Sequence, residues 1–337
     1  MNREVIVVLG MHRSGTSAVT RGLRALGVEL GGGLIGPMAD NPRGFWEDKT
    51  ILDINILLLS ILGLKWDSVQ PIPPYRWQDP MVEDLKLRAA RVVQENVDSF
   101  RLWGFKDPRT LRLLPFWIEV FDQLQVIPKY LMVVRNPISV AQSLYRRNGI
   151  SPEQSYLLWS IHVIPHLAKI RNRIIAVIDY DLLMNNPIAQ LRRIASRLGI
   201  PENTARKSEI QNYARFFLSQ DLRHSQYSEE NVRNDPNVND LTRVAYHWLH
   251  MLAWDKMSLA SRPLWQGWSR LESALISFGP ECRYLNQRNR KADVPQSDFG
   301  GRQQNNPRII HYHSYNSTVV HFRPNAGSIR VIRRRSK

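Results

Sequence analysis

The segment "VIVVLGMHRSGTSAVTRGL" (5–23) constrains the fold more than any other stretch of the chain. An apolar, branched run of strand type passes through Gly10, a polar turn and Gly15 into residues with helical spacing. A turn joining a strand end to a helix start gathers main-chain N–H groups with the helix dipole behind them, and so favours a phosphate or sulfate. The frame Gly10, four residues, Gly15, Thr16, Ser17 is almost that of a nucleotide-binding P-loop, except that Thr16 stands where that loop carries lysine. Arg13, inside the turn, supplies a cation that Thr16 does not.

Three further runs have the same buried-strand character: "RLWGFKD" (101–107), "KYLMVVR" (129–135) and "RIIAVIDY" (173–180), after the first at 4–10. Helical patterns lie between and after them at 15–26, 51–62, 80–98, 110–125, 137–147, 152–171 and 187–198. Strands alternating with helices predict an α/β fold, a mainly parallel sheet flanked by helices in the P-loop NTPase-like manner. Ligands of such sheets bind beyond the carboxyl ends of the strands, where Gly10, Lys106, Arg135 and Asp179 all fall. The Gly/Pro-rich loop 31–48 is placed to cover a site there. Helical spacing returns over 240–278, with Trp248, Leu252, Trp265 and Leu271 as core positions.

Charge divides the chain. Of the net +16, residues 283–337 hold 12 Lys/Arg against 2 Asp/Glu, whereas residues 1–282 hold 34 against 28. One α/β domain is therefore expected over 1–282, followed by a basic extension over 283–337 that is either disordered or a small β appendage. No apolar run approaches the ~18 residues of a membrane span. The nearest, "ILDINILLLSILGL" (51–64), contains Asp53, Asn55 and Ser60 and reads as a buried helix. The first strand begins almost at once, leaving no room for a signal peptide, and the single cysteine, Cys282, fits a reducing compartment; a cytoplasmic protein is expected. His311 and His313 lack a cysteine or carboxylate cluster to complete a metal site, so no metal is expected. The basic terminus "RVIRRRSK" comes with no nucleic-acid-binding fold, so no specific nucleic acid is expected as partner.

A second anion motif is "VVRNPISVAQSLY" (133–145): Arg135 ends a strand, Pro137 suits a first helical turn, and Ser143 lies within the helix. An arginine fork and a hydroxyl group hold a phosphate well, and two phosphate sites at two strand ends suit a nucleotide phosphorylated at two places. Asp179, ending "IIAVI", is a possible counterpart of the acid that holds Mg²⁺ in an NTPase, but the loop lysine is absent. A P-loop kinase of a small metabolite and a non-catalytic nucleotide- or polyanion-binding protein remain as alternatives on these residues.

"GMHRSGTS" resembles the 5′-phosphosulfate loop of the sulfotransferases that use 3′-phosphoadenosine 5′-phosphosulfate (PAPS), with Arg13 where many members carry lysine. "RNPISVAQS" resembles the 3′-phosphate motif of that family, and "IDYDLLMNNPIAQLRRIASRLGIP" its Tyr-Glu-Asp-Leu segment, with Asp181 in the acidic place. The three occur in family order across about residues 5 to 201. The resemblance implies a PAPS-dependent enzyme that sulfates an acceptor hydroxyl without a metal. It assigns His12, Arg13, Ser14, Gly15, Thr16 and Ser17 to the 5′-phosphosulfate, and Arg135 and Ser143 to the 3′-phosphate. Arg13 and Lys106, the latter in "FKDPRT", would ease departure of the leaving oxygen. Glu47 is the candidate base, because "NPRGFWED" is similar to an Asn-Pro-x-Gly-aromatic-aromatic-Glu pattern of bacterial members. A carboxylate beside aromatic rings has a raised pKa, which suits it to accept a proton. Asp48 and His224 of "LRH" are the competing bases. The implied acceptor is a sugar, a glycan or another hydroxyl-bearing metabolite.

Overall fold

The computed structural model describes residues 3–38, 41–218, 226–292, 310–313, 318–322 and 329–333. The chain divides into two compact units, Met1–Lys291 and Ala292–Lys337. In the first, strands β1 (Glu4–Leu9), β2 (Trp103–Lys106), β3 (Ile127–Val134) and β4 (Ile174–Asp179) form one parallel sheet in the order β2-β1-β3-β4. The register aligns Val8 with Lys106 on one side and Leu131 on the other, and Val134 with Asp179. The carboxyl ends of all four strands therefore open on one edge of the sheet.

The helices are α1 (Thr16–Ala25), α2 (Lys49–Ile61), α3 (Pro80–Ser99), α4 (Pro108–Arg112), α5 (Leu114–Gln123), α6 (Pro137–Asn148) and α7 (Pro152–Val163). They continue with α8 (Tyr180–Asn185), α9 (Pro187–Leu198), α10 (Thr204–Asn212), α11 (Glu229–Asn234), α12 (Asp240–Ala253), α13 (Arg262–Ser277) and α14 (Gly279–Ala292). Side chains alternate across a strand, and β1 shows why the sheet needs cover on both faces. Ile6 and Val8 pack with Val19 and Leu23 of α1, Leu191 and Ile194 of α9 and Ile210 of α10. Val5, Val7 and Leu9 belong to the larger core with Ile54 and Leu58 of α2, Val82 and Val93 of α3, Trp117 of α5, Trp159 of α7 and Trp268 of α13.

Proline and cap chemistry set several helix boundaries. The helical pattern 110–125 divides at Leu113, because Pro115 has no N–H and its ring clashes with the preceding turn; Pro108 meanwhile starts α4 two residues early. The pattern 152–171 stops at Val163, just ahead of Pro165, and a 3₁₀ turn, Leu167–Arg173, leads into β4. Helix α2 begins at Lys49 because the Asp48 side chain accepts hydrogen bonds from the Thr50 and Ile51 amides.

In the second unit, β5 (Ile310–His313), β6 (Thr318–Phe322) and β7 (Ile329–Arg333) pair antiparallel in that order. Helix α14 runs across the compositional shift at residue 283. No helix among the described residues is long and apolar enough to cross a membrane.

Candidate active site

The chain leaves β1 through a turn whose backbone is strained. Arg13 has φ 66° and Gly15 φ 85°, and a non-glycine residue at positive φ is uncommon outside sites that need it. A Cβ at Gly15 would run into the Tyr180 ring, and one at Gly10 would lie 2.8 Å from the Val133 carbonyl oxygen. The glycines are thus required by close approach to β3 and α8. Helix α1 starts at Thr16 with neither a side-chain cap nor an acidic residue in its first turn. Its leading amides and its dipole face the turn, an arrangement that attracts an anion.

The end of β3 is tied to this turn. Arg135 donates through Nη1 to the Arg13 carbonyl oxygen at 3.1 Å, and its guanidinium lies 4.7 Å from the centre of the Tyr180 ring. Arg13 Nε donates to Ser143 Oγ of α6 at 2.8 Å. Residues 130 apart in sequence are thereby joined into one structure. Asn136, fully buried, caps α6 by accepting from the Ile138 amide and donates to the carbonyls of Tyr227 and Ser228.

At the end of β2, Lys106 is 1 % exposed and donates to Glu47 Oε1 at 2.7 Å, to Ser17 Oγ at 3.3 Å and to the Phe45 carbonyl. Ser17 Oγ donates to the same Phe45 carbonyl at 3.1 Å. The 31–48 loop does cover this strand end. Trp46, at φ 57°, turns its ring the other way, toward the guanidinium groups of Arg21 and Arg24 at 5.6 and 5.8 Å. Burial pushes the Glu47 carboxyl above the ordinary carboxylate range, against the Lys106 ammonium and with help from Asp107. Asp107 caps α4, accepting from the Arg109 amide at 2.7 Å and from its guanidinium at 3.1 Å.

A family model described as the sulfotransferase family matches residues 5–204. The chain belongs to the sulfotransferase family. Among solved structures it is similar to the sulfotransferase domain of the Synechococcus PCC 7002 olefin synthase, at 17% identity over 74% of this chain and 93% of that one, TM-score 0.40. It is also similar to the sulfotransferase domain of the curacin biosynthetic pathway, at 16% identity over 73% and 97%, TM-score 0.41. A third is a Mycobacterium tuberculosis sulfotransferase, at 13% identity over 73% and 77%, TM-score 0.41. No curated protein sequence matches.

The sequence-marked residues of this sulfotransferase occupy distinct places. Arg13, Arg135 and Ser143 form one connected group, and Ser17, Lys106 and Glu47 another. The His12 ring turns away from the loop onto Trp66, 4.8 Å between centroids, and Ser14 and Thr16 are buried within the turn. Asp48 is occupied as the cap of α2, and Asp179 as the cap of α8, where it accepts from the Leu182 amide at 2.8 Å. His224 lies outside the described residues. Tyr180 and Asn136 lie within the quoted motifs "IDYDLL" and "RNPISVAQS", but no role of its own attaches to either at the level of the sequence. Among the described residues, no three His, Cys, Asp or Glu side chains group as metal ligands.

Proposed function

We propose that this sulfotransferase moves a sulfuryl group from PAPS to a hydroxyl group on a sugar, a glycan or another small metabolite. One observation supports the reading: the Arg13–Ser143 hydrogen bond, with Arg135 on the Arg13 carbonyl, brings together the residues to which the reading gives the two phosphates. The start of α1, which carries no side-chain cap, offers main-chain amides and the helix dipole to a phosphate.

Residues His12 to Ser17 hold the 5′-phosphosulfate through main-chain N–H groups and Arg13, while Arg135 and Ser143 hold the 3′-phosphate. When bound, PAPS supplies the sulfuryl group and leaves as a bisphosphate. Arg13 and Lys106 stabilise the negative charge that gathers on the departing oxygen. A sulfuryl group carries less charge than a γ-phosphate, so fixed cations suffice where a kinase needs Mg²⁺. Glu47 takes the proton of the acceptor hydroxyl, a task its burial-raised pKa favours. Lys106 lies within reach of both Glu47 and Ser17. As its ammonium turns toward the loop, Glu47 loses the partner that lowers its pKa and becomes the stronger base. The lone cysteine, free and buried, supports a cytoplasmic setting.

Thermal unfolding with 3′-phosphoadenosine 5′-phosphate, against ATP with Mg²⁺, tests the reading. The bisphosphate should stabilise the fold by about 2.7 kcal/mol at a hundred times its Kd. Stabilisation by ATP with Mg²⁺ and none by the bisphosphate would replace it with a kinase. Loss of bisphosphate binding on removal of residues 293–337 would replace it with polyanion binding by the basic tail.

A further inference from the structure

Residues Phe45 to Asp48 each have different partners, and those of Trp46 are left unexplained by the proposed chemistry. The Phe45 carbonyl accepts from Ser17 and Lys106, the Glu47 carboxyl accepts from Lys106, and Asp48 caps α2. The Trp46 ring instead faces Arg21 and Arg24, both within the roughly 6 Å over which a guanidinium is drawn to an aromatic face. The same ring meets Phe217 edge-on, 6.1 Å between centroids, and its Nε1 donates to the Arg43 carbonyl oxygen at 2.8 Å. The φ of 57° at Trp46 is uncommon for a residue with a side chain, and persists where the surroundings over-determine it.

These partners line up on the helix that begins in the anion-binding turn. Ser17, Arg21 and Arg24 stand four and then three residues apart, the spacing of one face of α1. Ser17 Oγ bonds the Phe45 carbonyl, and the two arginines take the Trp46 ring, so both loop residues are docked along a single stripe of α1. A second anchor is the π-helical turn Tyr213–Phe217. Arg21 and Arg43 lie 5.6 and 5.9 Å from the centre of the Phe217 ring, and Arg43 Nη1 donates to the Phe216 carbonyl at 3.1 Å. Glu47 follows Trp46 directly, and its own carbonyl accepts from the Ile35 amide at 2.8 Å. Its carboxyl is buried, with Lys106 of β2, Asp107 at the end of that strand and Arg109 of α4 as the charged groups acting on it.

We propose that Trp46 is a positioning residue: docked on Arg21 and Arg24 of α1, it holds Glu47 buried against Lys106. This rests on the reading of Glu47 as the base. One helix then serves both reactants, meeting the donor at its start and anchoring the base-bearing loop along its side. A site carried on one rigid element keeps its geometry better than one carried on a free loop.

The test follows the Glu47 carboxyl itself, by ¹³C NMR titration of the full chain labelled in its glutamate side chains, with Glu47→Gln to assign the signal. In the wild type the midpoint should lie above the ordinary carboxylate range, because burial raises it. In Trp46→Ala it should fall toward that range as the loop lets water reach the carboxyl. Trp46→Phe, which keeps a ring for the two arginines, should restore most of the wild-type midpoint. Arg21→Gln and Arg24→Gln leave Trp46 in place and should each lower the midpoint by less. The direction is decisive, since loss of a positive charge alone would raise a carboxyl pKa. A midpoint raised in the wild type and unmoved in Trp46→Ala would overturn the positioning role and leave Glu47 as the base. Should Trp46→Ala fail to fold, midpoints that rise or stay put in both arginine variants would overturn it equally. A wild-type midpoint in the ordinary range would remove the raised base, and the role of Trp46 with it.

Discussion

At the β1 and β3 end of the sheet, Arg13 bonds to a serine hydroxyl, and Arg135 to a main-chain carbonyl and an aromatic face. At the β2 end, Lys106 pairs with Glu47 and Arg109 with Asp107. The two ends carry similar numbers of cations but hold them differently. The bonds at the first end tie the turn after β1 to β3 and α6, whereas at the β2 end a carboxylate joined to the cation stores a titratable proton site. The β2 end holds a cation and a carboxylate in one buried pair, with burial pushing the Glu47 carboxyl above the ordinary carboxylate range.

The largest effect that would break this contrast is expected from Lys106→Met. Removing one partner of a buried ion pair should destabilise the fold by about 3 kcal/mol at pH 8, measured by denaturant unfolding. Glu47 has a folded pKa above its unfolded value, so below pH 8 the folded state takes up the proton first and the penalty shrinks as pH falls. Lys106→Met with Glu47→Gln should recover most of the loss. A single variant as stable as wild type at pH 8 would show that the β2 end is not a balanced pair.

Next in size, Arg135→Ala should weaken binding of 3′-phosphoadenosine 5′-phosphate by roughly 10- to 100-fold, corresponding to about 1.5–3 kcal/mol, and of adenosine 5′-phosphate much less. Calorimetric titration measures both. Equal losses would take Arg135 out of the 3′-phosphate site.

A pH slope sharpens the picture between the two ends. Burial and neighbouring Arg112 push the His162 imidazole down to about 3. Below pH 6.5 the unfolded chain binds this proton before the folded one does, so stability falls with falling pH by up to ~1.4 kcal/mol per unit. His162→Gln should remove one proton's worth of that slope in a series of unfolding curves from pH 7 to 4. An unchanged slope would mean that His162 is charged or exposed. The smallest expected effect belongs to Asp48. Asp48→Ala should cost about 1 kcal/mol as a lost helix cap, while Asp48→Asn, which still caps, should keep transfer activity. Loss of transfer in Asp48→Asn would give Asp48 the role proposed for Glu47.

Some of this was legible in the sequence. Branched runs ending at Gly10, Lys106, Arg135 and Asp179 located the four strands and the edge where the site would form. Prolines 115 and 165 carried the helix breaks, although the apolar spacing on either side of each masked them. Asp48 reads in the sequence only as a competing base, and the structure adds that its side chain caps α2.

Strand and helix order follow from the sequence because branched apolar runs, caps and glycine turns act over a few residues, and their preferences hold wherever the segment lies. The partners of those residues do not follow from it. The link from Arg13 to Ser143 spans 130 positions and that from Lys106 to Glu47 spans 59. Ring contact between His12 and His162, at 5.8 Å, arises because α7 packs over the turn after β1. Only the packing of helices on a four-stranded parallel sheet brings these groups together and sets their burial, and burial decides which of them stays charged.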